Sequence, residues 1–197
     1  MKKITAKDII IPTIALFVIC LVASVLLALT NNVTAKKIEE NNIQTAISSR
    51  TQVLSEVDGS PVASYGEEKT DEQSGLTYCE GLDENGNVIG YIVTSASKGY
   101  GGDVKVMVGY ALDGTIVGFT VLDASNETPG LGQNSTKDSF KSRFPGKKGE
   151  LVVDKNSNEG QNIQAITAAT ITSKAVVAAV NAATQAVENI KGGAENG

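Results

Sequence analysis

The chain has 197 residues, with 17 Lys and Arg, 22 Asp and Glu, no His and a formal net charge of −5. Without histidine there is no Ser-His-Asp or Cys-His nucleophile and no imidazole-bearing zinc or haem site. Two cysteines, Cys20 and Cys79, are too few for a zinc or iron–sulfur centre within one chain. The acidic balance also argues against a nucleic-acid partner, since phosphate binding rests on clustered Lys and Arg. Chemistry is left to carboxylates, hydroxyls, lysines or a borrowed cofactor, and neither a catalytic side chain nor a metal site is expected.

Residues 1–8 carry Lys2, Lys3 and Lys7 against Asp8 alone, and Ile9 to Leu29 (IIIPTIALFVICLVASVLLAL) then runs 21 residues without a charge. About 20 apolar residues at 1.5 Å rise match a hydrocarbon core of about 30 Å, so residues 9–29 read as a single transmembrane helix. The rest of the chain carries 14 basic and 21 acidic side chains, and the net charge divides into +2 before the span and −7 after it. The positive-inside rule therefore predicts a cytoplasmic amino terminus and an extracytoplasmic carboxyl-terminal domain in a single-pass protein of the cell membrane. A cleaved signal peptide is the alternative, but its apolar region is shorter, about 7 to 15 residues. Cys20 reads as a small apolar residue in lipid and Cys79 as a half-buried thiol at a strand edge, with no disulfide between them.

Residues 30–54 contain neither Pro nor Gly, and the spacing of Ile38, Ile43, Ala46 and Ile47 predicts that the helix continues beyond the membrane. Ser55 to Gly75, with Gly59, Pro61, Gly66 and the run EEKTDE, reads as an exposed loop or hairpin, so 30–75 is a juxtamembrane helix and variable region. From Leu76 short β-rich runs appear, with Asn85-Gly86 and Asp113-Gly114 between strand-like pieces. At least four antiparallel strands are expected, ending near Leu122. A loop-like stretch follows from Asp123 to Asn158, holding a short helical piece at Lys137 to Arg143 and a strand at 151–154. A helix is expected to begin immediately after TAAT, and beyond Thr172-Ser173 the recurrence of Val176, Val177, Val180, Val187 and Ile190 makes it amphipathic, with Gly192-Gly193 as its stop. The expected fold is α+β: one amino-terminal transmembrane helix, a domain over 76–192 with an antiparallel sheet and a carboxyl-terminal helix, and a tail at 193–197.

Three segments carry chemical interest. In ITAATITSKAV, Ile166 to Val176, small and hydroxyl residues lead into a helix, where unpaired N–H groups and the positive end of the macrodipole favour an anion such as phosphate. One of these hydroxyls could equally serve as a helix cap with no ligand. GYGG (Gly99 to Gly102) and ETPGLG (Glu127 to Gly132) are glycine-rich loops that permit close backbone approach to a bound group, or merely tight turns. Lys137, Lys141, Arg143, Lys147 and Lys148 form a basic cluster in an otherwise acidic domain, readable as a solvated surface, a docking site for an acidic neighbour, or a counter-charge for a bound anion.

The order of hairpin, NETPGLG and TAATITSKAV before a terminal helix, behind one membrane span, resembles the G subunit of the Rnf complex, the membrane-bound ferredoxin:NAD oxidoreductase. It is more distantly similar to the C subunit of the sodium-pumping NADH:quinone reductase. The resemblance implies FMN esterified through its phosphate to the last threonine of a motif written [S/T]-G-A-T. Here that motif is Thr167-Ala168-Ala169-Thr170, with Thr170 the implied attachment residue. The family's Gly is Ala168 in this chain, and the Asp three residues before the first hydroxyl is Gln164. The resemblance further implies that Thr167, Ala168, Ala169, Thr172, Gly101, Gly102, Glu127, Thr128 and Leu131 surround the flavin. A separate flavin transferase is implied, because a threonine hydroxyl needs a base to activate it and no His is available. The expected role is a redox subunit of an ion-translocating oxidoreductase, relaying electrons between ferredoxin and NAD sides with other membrane and peripheral subunits. A flavin-free, membrane-anchored binding module is the alternative from another class.

Overall fold

The computed structural model describes residues 6–194, so most of the expected cytoplasmic terminus and the last three residues of the expected tail lie outside the described residues. The chain divides into two compact units between Thr45 and Ala46. The first consists of most of a 48-residue helix, α1 (Ala6–Val53), whose stretch Thr13–Asn31 is long and apolar enough to cross a membrane. Its hydroxyls bond back along the helix: Ser24 Oγ donates to the Cys20 carbonyl and Thr30 Oγ1 to that of Leu26, both at 2.8 Å. These bonds satisfy polar groups that a hydrocarbon surrounding would leave unpaired.

The second unit begins thirty residues ahead of the expected domain boundary, because the end of α1 packs on the main sheet and part of the segment read as a variable loop pairs with it. A two-stranded hairpin, β1 (Glu56–Val57) and β2 (Ser60–Pro61), turns on Asp58 and Gly59, both at positive φ. Two further short strands, β3 (Ser64–Tyr65) and β4 (Lys69–Thr70), pair with β5 (Thr77–Leu82). An antiparallel meander continues through β6 (Val88–Lys98), β7 (Asp103–Ala111) and β8 (Ile116–Asp123). The expected glycine turns join β5 to β6 and β7 to β8, with Gly86 and Gly114 at positive φ. Asp83 and Asp113 take the amides that follow them; the Thr115 N–H and hydroxyl hold the Asp113 carboxyl down at about 2. Cys79 is fully buried in β5, which has neighbours on both sides, so the half-buried edge thiol expected from the sequence is corrected.

Beyond β8 come a 3-10 turn (Gly132–Thr136), α2 (Asp138–Lys141) and the parallel pair β9 (Val152–Asp154) and β10 (Asn162–Gln164). β10 has no counterpart among the expected elements. The last helix, α3, runs from Thr170 to Ala194, so it starts at the end of TAAT and ahead of Thr172-Ser173. Ser173, buried, joins this start to the chain before it: its Oγ accepts from the Ile166 N–H at 2.9 Å and donates to the Ala169 carbonyl at 3.0 Å. The helix also continues through Gly192, since glycine permits a helix end without requiring one.

Alternation along β7 assigns the two faces of the sheet. Val104, Val106, Val108 and Tyr110 join the larger core under α3, with Val176, Val180, Ala183 and Val187 opposite and Phe119 stacked on Phe144 at 4.0 Å. Two polar pegs fix α3 in this apolar layer, Ser95 Oγ donating to the Ala179 carbonyl at 2.7 Å and Tyr110 to that of Val180 at 3.2 Å. On the other face Met107 and Ala111 pack with Ile92, Cys79, Val57 and the last turn of α1 at Val53 and Leu54. That turn sits against the sheet backbone. A Cβ at Gly109 or Gly118 would lie 2.2 or 2.3 Å from the Val53 carbonyl oxygen, and one at Gly81 would lie 2.6 Å from Leu54 Cδ2. Gly109→Ala is therefore expected to overpack a site with no freedom to yield, lowering stability by about 1–3 kcal/mol or more, measured by chemical denaturation of the detergent-solubilised chain.

Candidate functional site

The site forms where three loops meet at the start of α3. The loop 99–102 joins β6 to β7, residues 124–132 leave β8, and residues 165–169 connect β10 to α3. Tyr100, Glu127, Thr128, Leu131, Gly132 and the run Ala168 to Thr172 line a cavity of about 550 Å³, within the roughly 300–1,000 Å³ usual for small-molecule sites. Three of these side chains, Tyr100, Leu131 and Ile171, are large, apolar and exposed at its rim, Tyr100 most of all at 71%.

At its floor lies Glu127, only 2% exposed. Its Oε1 accepts from the Gly101 N–H at 3.0 Å and its Oε2 from the Thr172 hydroxyl at 2.5 Å. Burial alone pushes this carboxyl up. Hydrogen bonds from Thr172 and from the amides of Gly101, Tyr100 and Gly102 more than offset it, and the net lies below the ordinary carboxylate range. The glycines around it make this possible: a Cβ at Gly99 would lie 2.3 Å from Oε1 and one at Gly132 would lie 2.4 Å from Oε2. At Gly101 a Cβ would meet the Asn126 carbonyl oxygen at 1.9 Å, and at Gly102 the Asn126 Cβ at 2.8 Å.

Of the residues expected around a flavin, Thr170, Ala168, Ala169, Thr172, Glu127, Thr128 and Leu131 come together on this cavity. Gly101 and Gly102 do not line it; they seat the 126–127 segment behind it. Thr167 is exposed and lines a neighbouring groove of about 510 Å³ with Lys137, Arg143, Gln164 and others. Tyr100, Gly132 and Ile171 line the cavity without being among the expected residues, although each falls inside one of the three motifs.

The turn before α3 is closed by the Ala169 N–H donating to the Ile166 carbonyl at 3.0 Å, and Ala168, its third residue, has φ +59°. A left-handed third position is what makes such turns favour glycine. The methyl of Ala168 is accordingly strained where the resembling motif has Gly. At the helix start itself, the N–H groups of Thr170, Ile171 and Thr172 find no acceptor among the described residues. They are the donors that an α-helix leaves open and that suit an anion.

The basic cluster is mostly committed elsewhere. Lys141 pairs with Asp138 at 3.0 Å and Lys148 with Asp113 at 3.2 Å. Lys147 donates to the carbonyls of Asn158 and Gly160, while Arg143 donates to those of Ser139 and Gln164 and lies over Phe140. Lys137 alone has no partner among the described residues.

A cavity with an apolar rim and open helix-start amides accommodates a flat ring at one end and a phosphate at the other, which is the class of an FMN-binding domain. The family model described as the FMN-binding domain matches residues 99–185, spanning all three loops. The chain is 46% identical over 187 residues to the G subunit of the Na(+)-translocating ferredoxin:NAD(+) oxidoreductase complex of Acetobacterium woodii, covering 89% of each chain. It is 33% identical over 192 residues to the G subunit of the ion-translocating oxidoreductase complex of Methanosarcina acetivorans, covering 95% of this chain and 98% of that one. The chain belongs to this family, the G subunits of ion-translocating ferredoxin:NAD(+) oxidoreductase (Rnf) complexes. Among solved structures, the C subunit of the Na(+)-translocating NADH-quinone reductase from Parabacteroides distasonis matches with TM-score 0.54 and 17% identity over 77% of this chain and 96% of that one. Shewanella oneidensis NqrC matches with TM-score 0.51 and 19% identity over 73% of each. At these identities the likeness is one of fold.

Two outcomes are expected. Ala168→Gly relieves the left-handed alanine and raises stability by about 1 kcal/mol, read as a higher denaturation midpoint. Glu127 has a folded value below the 4.5 of a free Glu, so its contribution is complete above that value and is lost as pH falls through the lower folded one. Glu127→Gln should flatten this acid limb of a stability-versus-pH curve, and an unchanged limb would show that other carboxylates carry it.

Proposed function

We propose that this chain is the flavin-carrying G subunit of an ion-translocating ferredoxin:NAD oxidoreductase complex, with FMN joined through its phosphate to the hydroxyl of Thr170. One observation carries the attachment site: Thr170 combines a half-buried position on the cavity with the open amides of the first turn of α3. The other two threonines of the segment are less suited. Thr172 is 2% exposed with its hydroxyl given to Glu127, and Thr167 lies on the neighbouring groove. A phosphodiester keeps one negative charge, and the N–H groups of Thr170, Ile171 and Thr172 with the helix dipole stabilise it there.

The flavin supplies one- and two-electron chemistry when bound, and the chain's residues hold and surround it. The rim formed by Tyr100, Leu131 and Ile171 limits water at the ring. The one carboxylate on the cavity, Glu127, is taken up by Thr172 and Gly101 and held below the ordinary range, so attachment is the work of a separate flavin transferase. The partners are the remaining subunits of the complex, between whose ferredoxin and NAD sides this protein relays electrons. The charge asymmetry about the apolar span supports a cytoplasmic amino terminus and an extracytoplasmic flavin domain.

The test is co-expression of the full chain with a flavin transferase, denaturing electrophoresis with fluorescence detection, and intact mass. Wild type should fluoresce and gain the mass of one FMN; Thr170→Val should lose both, and Thr167→Val should keep both. Fluorescence that survives Thr170→Val overturns the site, and a dark wild type overturns the covalent flavin.

A further inference from the structure

Glu127 is an anion whose charge nothing beside it cancels. Its partners are the Thr172 hydroxyl and backbone N–H groups of the 99–102 loop, all neutral, and no Lys or Arg makes an ion pair with it among the described residues. It also lines the cavity, although almost wholly shielded from solvent. A buried carboxylate is ordinarily exchanged for a neutral side chain unless its charge or its acceptors are needed. Here four glycines, at 99, 101, 102 and 132, are shaped around this residue and the one before it.

We infer that Glu127 is a positioning residue of the flavin pocket, which joins its three loops and, through the charge of its carboxylate, lowers the reduction potential of the flavin held there. The inference rests on the reading that FMN occupies this cavity. The physical argument is electrostatic. Reduction places added electron density on a group bound in the cavity, and a fixed anion in the wall opposes that density. Because Glu127 itself is almost wholly shielded from solvent, the opposition is screened less than it would be from an exposed carboxylate. The acceptor role is separate: Oε1 holds the loop 99–102 and Oε2 holds the first turn of α3, so one side chain sets the distance between two walls.

Glu127→Gln separates the two roles. Its side-chain oxygen keeps accepting from the Gly101 N–H, and its amide group donates to the Thr172 hydroxyl, which accepts equally well. The shape persists and the charge goes. The experiment uses the full chain, flavin-loaded by co-expression with a flavin transferase and solubilised in detergent, with the midpoint potential measured by spectroelectrochemical titration at pH 7 for wild type and Glu127→Gln. The expected result is a loaded variant with a more positive potential, the difference persisting as salt is raised, because a shielded charge is little screened. A loaded variant with the wild-type potential overturns the inference and leaves the flavin reading intact. If Glu127→Gln folds but carries no flavin, Glu127→Asp decides: loading at the wild-type potential supports the role of the charge, whereas loading at a more positive potential, or failure of both variants to load, overturns it, because the side chain is then needed to assemble the site and not to set the potential. A wild-type chain without flavin removes the underlying reading, and this inference with it.

Discussion

The buried carboxylate of Glu127 is the constraint on which the site is built. An ionised carboxylate shielded from water is unfavourable by several kcal/mol unless its oxygens are fully engaged, and here Thr172 and the 99–102 amides engage them. Those donors come from chain segments 26 and 45 residues away. Satisfying one side chain therefore brings the β6–β7 loop, the segment after β8 and the start of α3 to a common point. The cavity is the space left on the outer side of that junction. Glycine is needed at 99 and 132 because any Cβ there would enter the space of the carboxylate oxygens themselves.

The sheet serves two layers at once. Its α3 face carries a valine-rich core crossed by two hydrogen bonds from Ser95 and Tyr110, which hold α3 at a fixed depth and so fix the height of Thr170 at its start. Its other face is indented by Gly81, Gly109 and Gly118, where the last turn of α1 lies against the backbone. Glycine is ordinarily weakening in a strand, and its use in neighbouring strands makes sense only as room for that turn. Within this unit, Val53 and Leu54 are thereby packed directly on strands whose opposite face positions the site.

Much of this is legible in the sequence where the signal is periodic or chemical. The meander β5–β8 follows from alternation and from Asn85-Gly86 and Asp113-Gly114, and α3 from its valine spacing. The strands β1–β4 are two residues each, too short for a period to show, and what holds β3 and β4 is pairing with β5, a long-range contact invisible to a local pattern. The start of α3 falls at the last residue of TAAT, within one residue of its expected place; what is not legible is that Ser173, which looks like a capping residue, is buried and bonds backward to Ile166. The glycines of GYGG do mark a close approach. Sequence alone does not distinguish approach to a ligand from approach to the chain's own carbonyl and carboxylate, and here it is the latter.

The source of positive potential for a phosphate follows from what the basic residues do. Lys141 and Lys148 are paired with carboxylates, whereas Arg143 and Lys147 donate to neutral carbonyls and keep their charge, so these cations add to the backbone amides and the dipole of a 25-residue helix at Thr170. Glu127 sits at that same helix start, yet it is held by the Thr172 side chain and by amides of another loop, leaving the amides of residues 170–172 open. A phosphate received at those amides would share the helix terminus with Glu127 without competing for donors. Glu127 shapes the wall through neutral hydrogen-bond donors and the open amides need no histidine to suit an anion, so a domain without histidine loses nothing by that lack.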